Sequence, residues 1–215
     1  MKKLFFPVLQ FILCIGICTS CGNSGTKNTD SATPGAVSEN AADEVLPAKK
    51  YGVKSGIVTF ESRGFGMISK VVLYFDDFGA REAEEKYDLD NAITGASLCD
   101  GKNRYTLVYK DKAAFRDGEC FRGVAYKFDW NEASRAGDEY KPIKLANVSI
   151  AGKDCESFSL VSSGKTVVYA GWNNVCMLID QDSQYGKITY IATSFEENVD
   201  IPADKLNIPA DFKIN

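Results

Sequence analysis

SGIVTFESRGFGMISKVVLYFDD, running from Ser55 to Asp77, holds two β-branched and aromatic runs around a glycine-rich turn. SGIVTFE (Ser55–Glu61) and MISKVVLYF (Met67–Phe75) flank SRGFG, which has the composition of a hairpin. Side chains alternate along a strand, so Val71, Leu73 and Phe75 point one way while Val72 and Tyr74 point the other. A strand with one solvated face should alternate apolar with polar residues. This one is apolar on both sides. Its second face is therefore expected to be covered, by helices or by a ligand.

The pattern repeats along the chain. TGASLC and NRYTLVYK flank Asp100-Gly101-Lys102, and Asp-Gly is a strong short hairpin signal. CESFSLV and KTVVYAGW flank Ser162-Ser163-Gly164, and VCMLID and KITYIATSF flank QDSQYG. In KTVVYAGW, Val167 and Tyr169 oppose Val168, Ala170 and Trp172, again apolar on both faces. Two stretches break the pattern. REAEEKYD (Arg81–Asp88) reads as a short helix or a charged strand, with helical propensity favouring the helix, and YKFDWNEASRAG, in the Ala113–Ala136 region, reads as a short helix stopping near Gly137. The expected fold is mostly β (α+β): a curved antiparallel sheet or half-barrel with one or two short helices on its concave face. The repeated IPAD at Ile201–Asp204 and Ile208–Asp211 predicts an extended tail capping a sheet edge, since a residue before proline is biased to extended geometry. The sharper alternative is a partner-binding strand.

Ahead of this domain stand Met1-Lys2-Lys3 and the apolar run LFFPVLQFILCIGI. A basic start, a short apolar run and small residues make a secretory signal over residues 1–20, too short to span a bilayer. Cys18-Thr19-Ser20-Cys21-Gly22 is similar to the bacterial lipobox. Cys21 is then the lipidated residue, carrying diacylglycerol and palmitate, and Gly22 after it fits sorting to the outer membrane. CIGICTSC (Cys14–Cys21) matches a cluster motif by spacing, but two of its cysteines fall in the segment expected to be removed. Residues 21–50 contain no aromatic residue after Cys21 and are rich in Gly, Ser, Thr, Asn and Ala, a flexible linker. Residues 51–215 form the single β-rich domain.

Composition narrows the chemistry. There is no histidine, which excludes Ser-His-Asp and Cys-His catalysis and every His-ligated zinc site. With Lys2 and Lys3 removed, 23 basic residues face 29 acidic ones, a net charge of −6 and no basic patch for nucleic acid. SSGKT (Ser162–Thr166) lacks the first glycine of a P-loop and sits between two β runs. DLDNAITG (Asp88–Gly95) fails as a calcium loop at Ala92 and Ile93. Asp76 and Asp77 in YFDDFG point to opposite faces on a strand, so they make no catalytic pair. A divalent-ion site with Glu82, Glu84 and Glu85 is less favoured than a solvated charged face. No metal or cofactor is expected.

Four cysteines remain in the domain: Cys99, Cys120, Cys155 and Cys176. In an exported chain an even number points to two disulfides, with free buried thiols as the alternative. Cys155–Cys176 is disfavoured, because the two lie two strand spacings apart, about 9–10 Å, beyond disulfide reach.

YGVKSGIVTFES with KVVLYFDDFGAREA, and IAGKDCESFS, VVYAGWNNVCMLID and ATSFEENVDIPADKLNIPADFKI, resemble a group of uncharacterised lipoproteins from Bacteroides-type bacteria. That group is similar to lipoprotein carriers of the LolA/LolB type. The resemblance implies a half-barrel whose concavity receives acyl chains; it supplies no catalytic residues. The expected function is a non-enzymatic, membrane-anchored envelope lipoprotein binding a lipid or acyl chain. Leu73, Phe75, Val108, Tyr169, Trp172, Ile191 and Phe195 are the candidate lining residues, chosen from the surplus of apolar strand faces. The alternative is an envelope structural or protein-interaction module with a closed core and an unknown partner. A carboxylate-only enzyme would need two acids about 5–9.5 Å apart across a cleft, and the sequence singles out no such pair.

Overall fold

In the computed structural model, the compact unit Val45–Asn215 is described at residues 49–64, 66–120, 142–162, 165–183 and 186–215. The signal, Cys21, most of the linker and the YKFDWNEASRAG segment lie outside the described residues. Six strands come first: β1 (Gly56–Gly64), β2 (Met67–Asp76), β3 (Arg81–Tyr87), β4 (Ile93–Cys99), β5 (Asn103–Val108) and β6 (Ala113–Glu119). Two short ones follow, β7 (Ile143–Lys144) and β8 (Val148–Ile150). Four long ones, β9 (Lys153–Ser162), β10 (Lys165–Trp172), β11 (Val175–Ser183) and β12 (Gly186–Glu197), precede the terminal β13 (Lys213–Ile214).

All pair into one open curved sheet in the order β13-β6-β5-β4-β3-β2-β1-β12-β11-β10-β9-β7, with β8 also on β9. Thus β1 to β6 form one antiparallel meander and β9 to β12 another. They meet where β1 pairs β12, Val58 opposite Phe195. A bulge at Thr193, between the partners of Thr59 and Phe60, bends that seam. The four hairpins expected from sequence are present.

REAEEKY is a strand, not a helix: it pairs β2 on one side and β4 on the other. Among the described residues the helical elements are single 3-10 turns, so helices on a concave face are not found there. Propensity lost to context, because two flanking strands with free edges offered every backbone group of β3 a partner.

The register explains why β2 is apolar on both sides. One row crosses the sheet as Phe195–Val58–Leu73–Glu84–Ser97–Thr106. Its neighbour on the opposite face runs Ile57–Tyr74–Ala83–Leu98–Tyr105. The first face is therefore apolar on β1 and β2 and turns polar from β3 outward; the second face stays apolar through β6. Strand β2 serves both cores. Val71 and Phe75 join Val58, Phe60 and Met177 in one cluster, while Val72 and Tyr74 join Ala83, Leu98, Leu107 and Ala114 in the other.

Over β2 to β6 the chain's own C-terminal segment lies across the second face. Leu206 is buried there, and Ile201, Ile208 and Phe212 pack against the same cluster. Its last strand, β13, then pairs in parallel with the edge strand β6. The tail thus covers a face and caps an edge, which protects β6 from pairing with foreign strands.

Candidate functional site

The first face over β1 and β2 carries the buried cluster of Val58, Phe60, Val71 and Phe75, with Met177 of β11 and Ala192 of β12. A second row runs Phe158–Tyr169–Ile179–Tyr190–Ser62 across five strands. Phe60 stacks on Tyr190 with ring centroids 4.3 Å apart, and Phe158 stacks on Tyr169 at 5.6 Å. Leu73, Tyr169, Ile179, Tyr190 and Phe195 keep part of their surface, whereas Val58, Phe60 and Val71 beneath them are buried.

One end of this face is closed. Tyr51 packs on Phe75 at 4.5 Å, Phe75 lies 6.3 Å from Phe195, and Trp172 meets Phe195 edge-on at 5.5 Å. Gly56 is required beneath these rings: a Cβ there would lie 2.7 Å from both Phe75 and Phe195. The segment Lys50–Tyr51 is held by two backbone bonds from its amides to the Phe78 carbonyl. That carbonyl sits in the tight turn after β2, where Asp77, Phe78 and Gly79 all have positive φ. Tyr51 lies over Gly79, where a Cβ would approach its ring to 2.6 Å. Asp76 bonds the Asp77 amide, so the two aspartates build the turn.

Polar groups enter from β3. Glu82 accepts from Lys50 Nζ at 2.6 Å and from the Tyr51 hydroxyl at 2.9 Å. Burial, then the Glu82 carboxylate, holds the Tyr51 hydroxyl protonated well above its ordinary range. Glu84, two residues on, sits between Leu73 and Ser97 on the same face. Desolvation raises the Glu84 pKa, with the neighbouring Glu82 charge adding to it, against the pull of Lys86 and Lys50. Burial also raises Tyr190 and pushes the Cys176 thiol up to about 12. Cys176 is thus an inert thiol at neutral pH, not a nucleophile.

Of the sequence-derived lining residues, Phe75 lies in the first hydrophobic cluster and Leu73, Trp172, Ile191 and Phe195 pack against it, whereas Tyr169 and Val108 are outside it. Leu73 and Tyr169 are partly exposed on the apolar first face, in separate rows. Phe75, Trp172 and Phe195 belong to the closed aromatic end, with Phe75 fully buried. Val108 shares the first face but lies three strands beyond Val71, roughly 14 Å away, on the polar side. Ile191 opposes Glu61 and Leu178 and so faces the other way from Tyr190. Sequence reasoning named Glu84 only within a disfavoured ion site and did not single out Tyr190: each strand could be read, but not which strands would be neighbours.

Cys99 and Cys120 form a disulfide with Cα atoms 5.5 Å apart, joining the end of β4 to the residue after β6. Cys155 and Cys176 are free, on β9 and β11 with β10 between them, the order anticipated from sequence. One disulfide forms rather than two. In the β3–β4 turn Asp88 accepts from the amides of Asp90 and Ala92, which makes it a turn residue and not a calcium ligand. Among the described residues no group of three metal-ligating side chains converges, and no helix is long and apolar enough to cross a membrane.

A second concavity of about 420 Å³ lies between the tail and the second face, lined by Ile93, Tyr109, Ile208 and Pro209. Glu85 is at its floor, 3% exposed. It takes a bidentate contact from Lys205 at 2.9 and 3.0 Å and the Tyr87 hydroxyl at 2.5 Å.

No family model and no curated protein matches the sequence, so the Bacteroides-type group finds no support there. Among solved structures, the fold is similar to an uncharacterized conserved protein from Thermus thermophilus. That match has 9% identity and a TM-score of 0.52, over 76% of this chain and 90% of that one. It is also similar to MucB, at 15% identity and a TM-score of 0.52, over 76% of this chain and 60% of MucB. The chain therefore spans less than two thirds of MucB. A looser match, with a TM-score of 0.35 and 9% identity, is to a Vibrio parahaemolyticus domain described as lipoprotein-sorting, and nothing is rested on it. These likenesses show a shared open-sheet fold.

Proposed function

We propose that this chain is a non-enzymatic envelope lipoprotein that takes an apolar ligand, such as a lipid or acyl chain, on the first face of its sheet. In this reading Cys21 carries the lipid anchor, residues 21–50 tether the domain to the outer membrane, and the fold is that of the LolA/LolB-type carriers. The observation that carries it is the row Phe158–Tyr169–Ile179–Tyr190, with Leu73 beside it: an apolar sheet surface on which Phe158 is buried while Tyr169, Ile179, Tyr190 and Leu73 stay partly exposed. Ligand sites are concave, mostly apolar and furnished with a few polar groups, and Glu84 and Tyr190 supply those here. Native mass spectrometry of Val45–Asn215 released from cells tests it. A lipid mass that travels with the protein and leaves on solvent extraction is the expected result; a ligand-free protein that takes up no added fatty acid defeats it.

A second reading, an envelope interaction module with a closed core, is favoured by one observation. The Tyr51–Phe75–Phe195–Trp172 end is packed so tightly around Gly56 that nothing larger than hydrogen fits there. A stoichiometric protein recovered with the tethered chain, and no lipid, would favour it.

A further inference from the structure

Glu85 points to the second face, between Val72 and Ala96, on the opposite side of the sheet from the aromatic row. The cavity above it, about 420 Å³, lies between the sheet and the C-terminal segment and falls within the roughly 300–1,000 Å³ of small-molecule sites. Its walls are apolar: Ile93 from β4, Tyr109 from the turn after β5, and Ile208 and Pro209 from the tail. Its floor is charged. Glu85 is supplied by two bonds from Lys205 and one from the Tyr87 hydroxyl. Lys205 has more to give. An ammonium has three hydrogens, the bonds to Glu85 use at most two, and 23% of the Lys205 side chain stays accessible. The Tyr74 ring, 5.2 Å from the nitrogen, is its other close neighbour. Among the described residues the Tyr109 hydroxyl makes no hydrogen bond. Burial first, then the Glu85 charge, keeps its proton on above the ordinary tyrosine range, and Lys205 and Asp204 act on it as well. Asp204 adjoins Lys205 in the chain, is exposed at the rim of the cavity, and among the described residues has no ion pair.

We infer that this cavity is a second binding site, for an α-amino acid with a large apolar side chain. The ligand carboxylate takes the remaining hydrogen of Lys205 and the Tyr109 hydroxyl, its ammonium sits against Asp204, and its side chain lies on Ile93, Ile208 and Pro209. Opposite charges on neighbouring residues set the selectivity. A molecule with only a carboxylate would gain Lys205 but face Asp204 and Glu85. One with only an ammonium would gain Asp204 but face Lys205. A zwitterion is matched at both ends, and the apolar walls favour a leucine or phenylalanine side chain over a polar one. This site is separate from the first face, so either reading can fail without the other.

Titration calorimetry of the full-length chain with phenylalanine, 3-phenylpropanoate and 2-phenylethylamine tests the assignment, since each analogue keeps the ring and one of the two charges. The expected result is saturable binding of phenylalanine, about tenfold tighter than either analogue, which is about 1.4 kcal/mol. Asp204 is exposed, so Asp204→Asn should fold normally. That variant should bring phenylalanine down to the affinity of 3-phenylpropanoate without weakening 3-phenylpropanoate itself. Tyr109→Phe should weaken both carboxylate ligands several-fold and leave 2-phenylethylamine unchanged. Equal binding of phenylalanine and either analogue by the unaltered protein overturns the zwitterion assignment. Absence of binding by all three overturns the site. A preference for phenylalanine that survives both substitutions places the ligand elsewhere and overturns the inference as well.

Discussion

The two halves of the sheet solve the same problem with opposite faces. Over β3 to β6 the apolar side is the second face, and the chain lays its own C-terminal segment across it. Over β9 to β12 the apolar row is the first face, and its outer side chains stay partly exposed. Strand β2 and its partner β1 stand at the changeover, which is why β2 carries apolar residues on both sides. A two-sided strand therefore need not mean a ligand on one side. Here it means that two cores share a strand.

That contrast is most exposed at the tail's buried ion pair. Lys205→Ala would leave Glu85 uncompensated at 3% exposure. Removing one partner of such a pair costs about 3–5 kcal/mol, and denaturant unfolding should register that loss. A variant as stable as the parent would show that the tail does not hold this half together. Next in size is the disulfide. Cys120→Ser opens a link of sequence separation 21, worth about 3 kcal/mol by loop closure. Thermal unfolding with and without reductant should give the same loss for the unaltered protein and none for the variant.

Gly56→Ala tests the closed end of the other half. The added methyl meets Phe75 and Phe195 at 2.7 Å, and overpacking of this kind costs about 1–3 kcal/mol. Lipid uptake on the row at Tyr169 should survive in that variant; its loss would mean that the aromatic end and the ligand surface are one site.

The smallest effect has the opposite sign. Burial raises the folded-state pKa of Glu84 above its unfolded value. An acid shifted this way lowers stability above its folded pKa and ceases to do so as the pH falls toward the unfolded one. Glu84→Gln should accordingly stabilise the protein near neutral pH, by a margin that narrows in acid. Urea midpoints at several pH values check it, and a destabilised variant would show that Glu84 supports the fold.

Much of the sheet was legible in the chain. SGIVTFE and MISKVVLYF give β1 and β2, and Asp100-Gly101 gives the turn between β4 and β5. The second IPAD leads into the tail that caps β6. REAEEKY was not legible. Its glutamates favour a helix in isolation, and only the flanking β2 and β4 make it a strand whose Glu82 and Glu84 line one face and Ala83 the other. The lining residues suffered for a related reason. Ile191 packs with Leu73, Trp172 and Phe195 on one cluster, but Val108, on β5, was drawn in because alternation within a strand does not say which neighbour it joins.

By itself the sequence determined the hairpins, the absence of histidine chemistry and the strand order that disfavours a Cys155–Cys176 bridge. These follow from local composition and from distances fixed by strand geometry. Tertiary structure decided that β1 closes against β12, that the core changes faces at β2, and that the tail covers one half. Those outcomes depend on register between strands far apart in the chain, where a shift of one residue exchanges the two faces.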